Sequence, residues 1–237
     1  MIYAGILAGG RGKRMGYTEM PKQFLLLRGK PILIHTLEKF LLNPRFHGIY
    51  IGAVVDWVSH TRDIVAKYIG DDPRIQVVEG GTDRNGTIMN ILSYIEETRG
   101  LEEEDIIVTH DAVRPFVTHR IIEENIQAAL ECGACDTAIP ATDTIVRSLD
   151  GKLLLEIPPR PEYYQGQTPQ SFHIRRLREN FDSLTKEERG ILTDACKICV
   201  LRGDVVKMVQ GEVFNIKVTT PYDLKIAEAI LEEDICD

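Results

Sequence analysis

Short apolar runs rich in β-branched residues alternate with helical patterns along the first half of this chain, and that order restricts its fold more than any other feature. Ile2 to Leu7, Gly48 to Val55, Ile75 to Val78 and Asp105 to Thr109 have the length and continuous hydrophobicity of strands buried on both faces. Between them, Pro31 to Leu42 carries Ile32, Leu33, Leu37, Phe40 and Leu41 at helical spacing behind a proline suited to a first turn; Ser59 to Ile69 and Asn85 to Thr98 repeat the pattern. The alternation predicts an α/β fold, a Rossmann-like and mostly parallel sheet with helices on both faces. Ligands in such sheets lie beyond the carboxyl ends of the strands. Further helices are expected over His119 to Leu130, near His173 to Leu184, over Thr193 to Val200 and after Pro221, with a strand at Val205 to Val209. With 237 residues, 43% of them hydrophobic, the chain has enough apolar material for one domain with a full core.

Between Ile139 and Pro169 the regularity breaks, and short β patterns mix with Pro140, Pro158, Pro159, Pro161 and Pro169. Residues 139–169 are therefore expected to form an inserted, β-rich arm on a single domain spanning 1–237. A segment with so little core of its own must pack against its own domain or against a partner chain.

The formal charge of -8 argues against general nucleic-acid binding, which draws its affinity from broad basic surface. No apolar run approaches the roughly 20 residues that a membrane span needs, and the chain opens on a strand pattern, so a cytoplasmic location is expected. Five cysteines in that setting should remain free thiols without disulfides. Cys132 with Cys135 and Cys196 with Cys199 form two C-x-x-C pairs, but the gap between the pairs is far longer than that of a zinc ribbon, and packed thiols are expected.

Against this acidic background the loop after the first strand is basic. Ile6 begins "ILAGGRGKRMGYTEMPKQF", in which Arg11, Lys13, Arg14 and Lys22 are opposed only by Glu19. Gly9, Gly10 and Gly12 let backbone amides approach an anion without obstruction by Cβ, and phosphate is the natural guest. A Rossmann fingerprint fails because Met15 stands where the third glycine belongs, and no G-K-[ST] run supplies a Walker A loop. A nicotinamide oxidoreductase and a P-loop ATPase are thereby disfavoured. A triphosphate held by loop amides, Arg14 and Lys22 fits better, whether in an enzyme or in a silent nucleotide-binding regulator.

"LAGGRGKRM" followed by "MPKQF" resembles the signature of nucleotidyltransferases that activate sugar and polyol phosphates, in its cytidylyltransferase branch. "EGGTDRNGTIMN", "VTHDAVRPF", "GQTPQSF", "LTDACKI" and "NIKVTTPYDL" match that polyol-phosphate cytidylyltransferase family in order, so the similarity covers essentially the whole chain. The resemblance implies a nucleotide-diphospho-sugar transferase fold and transfer of CMP from CTP to a polyol phosphate. Two activities share the framework, acting on ribitol 5-phosphate for teichoic acid synthesis or on methylerythritol phosphate for isoprenoid synthesis. "YYQGQTPQSF", "DRNGTIMN" and "LTDACKI" resemble the ribitol form, and Thr193-Asp194-Ala195-Cys196 departs from the Thr-Asp-Glu run of the other.

By the same resemblance Lys22 and Arg14 are the expected catalytic residues, Lys22 facing the α-phosphate and Arg14 the departing β/γ-phosphates. Leu7, Ala8, Gly9, Gly10, Gly12, Gly81, Arg84, Thr87 and Asp111 would bind CTP. Asp111, at the end of a strand, would also hold Mg²⁺ as cofactor. Arg114, Thr144, Arg160, Thr193 and Lys217 would form the acceptor-phosphate site. A phosphate nucleophile is already ionised at neutral pH, so His110 is expected to be structural. The expected partners are a second copy of the chain, joined by exchange of the arm so that Arg160 and Thr144 reach the other protomer, and a reductase supplying ribitol phosphate.

Overall fold

The computed structural model describes residues 1–10 and 20–233. Arg14 and Gly12 lie outside the described residues. A seven-stranded sheet is built from β1 (Ile2–Ala8), β4 (Gly48–Ala53), β5 (Ile75–Glu79), β6 (Ile106–Asp111), β7 (Ala134–Pro140), β8 (Tyr164–His173) and β9 (Lys207–Gln210), in the order β5-β4-β1-β6-β8-β7-β9. β2 (Leu26–Leu27) and β3 (Lys30–Pro31) form a separate short hairpin. β1 pairs in parallel with both β4 and β6, and β8 alone runs against its neighbours. The expected Rossmann-like, mostly parallel sheet is thus what the chain forms.

Eight helices cover the faces: α1 (Ile32–Leu41), α2 (Val58–Tyr68), α3 (Arg84–Arg99), α4 (His119–Cys132), α5 (Ile174–Asp182), α6 (Lys186–Gly190), α7 (Cys196–Leu201) and α8 (Pro221–Glu232), counted among the described residues. α1 buries Leu33, Ile34, Leu37 and Phe40 against one face of the sheet, in the core shared with α2 and α4. Each such side chain contributes about 1.5–3 kcal/mol through removal from water. On the other face Ile88, Ile91, Leu92 and Ile95 of α3 join Phe172, Leu177, Ile198 and Cys199 in a second core. Local signals bound these helices. The Thr118 side chain accepts the Ile121 amide at the start of α4, and Gly133 ends it at φ 82°.

Both ends of the span 139–169 belong to the central sheet, because β7 runs to Pro140 and β8 begins at Tyr164. The projecting part is therefore 141–163, whose one strand pairing among the described residues is a bridge between Arg147 and Glu156. It leaves Leu149 80% and Leu153 74% exposed, with Leu154, Leu155 and Ile157 beside them. The last predicted helix but one begins later than expected, at Cys196, so Thr193 lies in the loop before it. Among the described residues no helix is long and apolar enough to cross a membrane.

The four described cysteines are free. Burial pushes the Cys135 and Cys199 thiols up to about 12, so they pack as neutral groups.

Candidate active site

β1 is the switch point of the sheet, since the chain proceeds from it to β4 and β5 on one side and then returns to β6 on the other. Open α/β sheets bind ligands at the carboxyl ends of strands at such a point. There a cavity of about 1150 Å³ opens, bounded by Leu7, Gly9 and Gly10 after β1, Val54 and Val55 after β4, Gly80 to Arg84 after β5, and Asp111 at the end of β6. Lys22 and Lys217 line it as well. Its volume is ample for a nucleoside triphosphate.

Close approach of backbone explains the glycines. A Cβ on Gly9 would stand 2.9 Å from Thr87 Oγ1, and one on Gly81 would stand 2.3 Å from the Gly86 carbonyl carbon. Gly10 faces open space. Thr87 holds this wall together, its hydroxyl accepting the Gly81 amide at 3.0 Å and donating to the Asp83 carbonyl at 2.8 Å. The Asp83 side chain accepts the Gly86 amide at 2.8 Å and so caps α3. Behind β1, Gln23 donates to the Ala8 carbonyl at 2.7 Å, tying the segment of Lys22 to the strand end.

Asp111 is the electrostatic centre. Its Oδ2 lies 2.8 Å from Lys217 Nζ and 3.4 Å from Arg114 Nε, and its Oδ1 lies 3.6 Å from Arg84 Nε. Burial alone would raise this carboxyl; Arg84, Lys217 and Arg114 together overcome it and hold the group well below the usual carboxylate range. Arg114 is largely buried, and its Nη1 donates to the Asn215 carbonyl at 2.8 Å. It thus braces Asp111 and the segment before α8. Arg84 Nη1 is buried with no hydrogen-bond partner among the described residues. That leaves donor capacity at the rim of the cavity.

His110 is engaged on both ring nitrogens, with the Arg114 carbonyl 3.0 Å from Nε2 and Thr168 Oγ1 2.9 Å from Nδ1. Burial lowers its pKa from 6.5 to about 4, against the opposing pull of the Arg114 carbonyl and Asp111. The unfolded chain therefore binds a proton before the folded one does as pH falls through this window, and the stability contributed by neutral His110 is lost from about 6.5 downward. Denaturant melts at pH 7 and pH 5 should show a smaller acid-induced loss for His110→Gln than for the wild type.

The cavity gathers Leu7, Gly9, Gly10, Lys22, Gly81, Arg84, Thr87, Asp111 and Lys217 of the expected residues, with Ala8 directly behind. Thr144 and Arg160 do not line it in the same protomer; they lie exposed on the projecting segment, where Arg160 donates to the Thr142 carbonyl at 2.9 Å. Thr193 is exposed and does not line it either. Val54, Val55, Asn90 and Thr219 line the cavity without having been expected. Val54 and Val55 follow the end of β4, a signal that would have found them, whereas Asn90 lies within α3 and Thr219 just before α8, where no strand end marks them.

A cation-rimmed, glycine-walled cleft at the switch point of this sheet defines a nucleotidyltransferase of the nucleotide-diphospho-sugar transferase type. Residues 2–233 match the family described as 2-C-methyl-D-erythritol 4-phosphate cytidylyltransferase (IspD), and the chain belongs to that family. It is similar to 4-diphosphocytidyl-2C-methyl-D-erythritol synthase from Anaerococcus prevotii, at 29% identity and TM-score 0.78 over 98% of this chain and 96% of that one. The 2-C-methyl-D-erythritol 4-phosphate cytidylyltransferase of Francisella tularensis is 27% identical, with TM-score 0.79 over 96% and 98%. The enzyme from Thermus thermophilus, at 24% identity and TM-score 0.72 over 98% and 100%, shares the fold. These matches carry the methylerythritol acceptor in their names, whereas the motifs resembled the ribitol form.

Proposed function

We propose that this cytidylyltransferase joins CTP to the phosphate of a short polyol, giving a CDP-polyol and pyrophosphate. Family membership favours 2-C-methyl-D-erythritol 4-phosphate as acceptor. Ribitol 5-phosphate is the second reading, favoured by Asp194-Ala195-Cys196 at the expected acceptor edge and by the "GQTPQSF" strand. The observation that carries the general reaction is the ring of Arg84, Arg114 and Lys217 around Asp111, at a cavity that Lys22 also lines.

An acceptor phosphate oxygen attacks the α-phosphorus of CTP, the bond from that phosphorus to the bridging oxygen of the β-phosphate breaks, and the electron pair leaves with pyrophosphate. No general base is needed. Catalysis rests on positioning and on fixed positive charge where negative charge accumulates. Lys22 faces the α-phosphate, Arg14 assists departure, and Lys217 takes the acceptor phosphate. Gly9, Gly10 and Gly81 offer backbone to the nucleotide, and Arg84 turns its Nη1, which has no partner among the described residues, to a phosphate or to the base.

A magnesium ion suits this donor set. Mg²⁺ retains several waters and needs only one or two carboxylates beside substrate phosphates. Asp111 is ionised and lines the cavity, while Asp83 is spent on α3. When bound, the ion would neutralise charge on the phosphates.

The exposed leucines of 141–163 support a homodimer in which each arm lies on the other protomer and brings Arg160 and Thr144 to its acceptor site. A reductase partner supplying ribitol phosphate belongs with the ribitol reading.

Incubating the full chain with CTP and Mg²⁺ against both polyol phosphates, with pyrophosphate release followed, tests the proposal. Release with either acceptor is expected, and the larger kcat/KM identifies it. Folded protein that releases none with either would refute the reaction.

A further inference from the structure

We propose that Asp136, seated by Gln170, is a specificity-determining residue that reads hydroxyl groups on the acceptor; this rests on the polyol-phosphate reading above. Sheet register puts the pair in line with the end of β6, where Asp111 stands. Gln170 of β8 stands opposite Thr109 of β6 and opposite Asp136 of β7. Directly opposed residues on antiparallel strands share a face, and residues two apart on a strand share it too. Asp136, Gln170, Thr109 and Asp111 therefore make one polar row on the face covered by α3 and α7.

The row is built rather than incidental. Gln170 Nε2 donates to Asp136 Oδ1 at 3.0 Å, while Gln170, only 1% exposed, keeps its Oε1 buried without a hydrogen-bond partner among the described residues. A buried amide oxygen left without a donor costs about 1–3 kcal/mol, so its retention calls for a donor from elsewhere. A ligand hydroxyl is such a donor. Beside Asp136, position 166 is an exposed glycine whose added Cβ would sit in ordinary contact with Oδ2, at 3.7 Å, so a side chain there would cover the carboxylate.

Its electrostatic neighbours tie this carboxylate to the active site. Burial raises Asp136 to about 6; the Gln170 bond opposes that rise, Asp194 adds to it, and Arg84 pulls the other way. Asp194 follows Thr193, and Arg84 also faces Asp111. A carboxyl group and an amide oxygen side by side suit adjacent hydroxyls of an extended polyol. An acceptor that lacks one of them leaves these buried groups unpaired, which discriminates far more strongly than a missing methylene does.

The test compares wild type, Asp136→Asn and Gly166→Ala on each polyol phosphate and on analogues in which single hydroxyls are replaced by hydrogen. Asp136→Asn keeps an acceptor for Gln170, and Gly166→Ala leaves the carboxylate but fills the space beside it. Both should lower kcat/KM for the preferred acceptor about 30-fold and leave CTP affinity unchanged. On the analogue lacking the recognised hydroxyl, variants and wild type should be equally poor. An equal fall on every acceptor, or no fall at all with both variants folded, overturns the assignment and marks the pair as structural. A wild-type protein inactive on all polyol phosphates would instead remove the reaction on which the inference rests.

Discussion

Lys22→Ala is expected to lower kcat by about 10²–10³-fold while CTP affinity changes little. Negative charge on the α-phosphate grows as the attacking oxygen closes in, so a fixed ammonium there stabilises the transition state more than the bound substrate. The side chain lines the cavity, and the residue opens a short 3-10 turn at Lys22–Phe24 that Gln23 anchors to the end of β1. That anchoring keeps the charge in place without reorganisation during the reaction. Single-turnover rates with CTP in excess isolate the effect, and equilibrium binding of CTP supplies the control. If affinity and turnover fell together, Lys22 would be a binding residue only.

A larger qualitative contrast is expected from mixing two inactive proteins. Under the exchanged-arm arrangement Lys22 and Arg160 of one site come from different chains, so Lys22→Ala and Arg160→Ala should each abolish most turnover alone. After dissociation and random reassociation in equal amounts, half the dimers pair one variant with the other. Each of those holds one site with both lesions and one with neither, so about a quarter of the wild-type rate should return. The position of Arg160 motivates this. Its guanidinium lies on an exposed segment and, among the described residues, donates to the Thr142 carbonyl of its own chain. Mixed proteins that stay inactive despite verified subunit exchange would show that Arg160 does not complete the neighbouring site.

The parallel half of the sheet was legible because its strands are continuous apolar runs: Ile49, Ile51 and Ile106 to Val108 are fully buried, and nothing but a strand flanked by helices on both sides uses such runs. β8 was not. Its segment Tyr164–His173 falls mostly within the span read as an arm of short β patterns and prolines, yet Gln167, Thr168, Gln170 and Ser171 are all buried in the central sheet and, Gln170 Oε1 apart, held by sideways hydrogen bonds, as when Asn215 donates to the Thr168 carbonyl at 2.9 Å. Hydrophobic periodicity has no signal for a strand whose interior is polar.

The site divides the same way. Gly9 and Gly10 follow β1 and could be placed from local pattern, as could Asp111 at the end of β6, whereas Gly81 was named through resemblance. Lys217 could be named only through resemblance, because its approach to Asp111 depends on Val218 donating to the Val113 carbonyl at 2.9 Å, a contact between distant segments. Asp136 offered no motif at all, since its meaning comes from a register across three strands.

The cations around Asp111 come from widely separated stretches of the chain, at positions 84, 114 and 217. During synthesis the ribosome delivers Arg84, Asp111 and Arg114 long before Lys217. A nascent chain can therefore raise most of the sheet while its triphosphate cleft still lacks one wall and one charge. Docking of residues 215–218 beside Val113 is then the event that closes the cleft and brings the last cation to Asp111. A chain cut before residue 215 is therefore expected to fold its parallel sheet and still lack a competent cleft for a nucleotide.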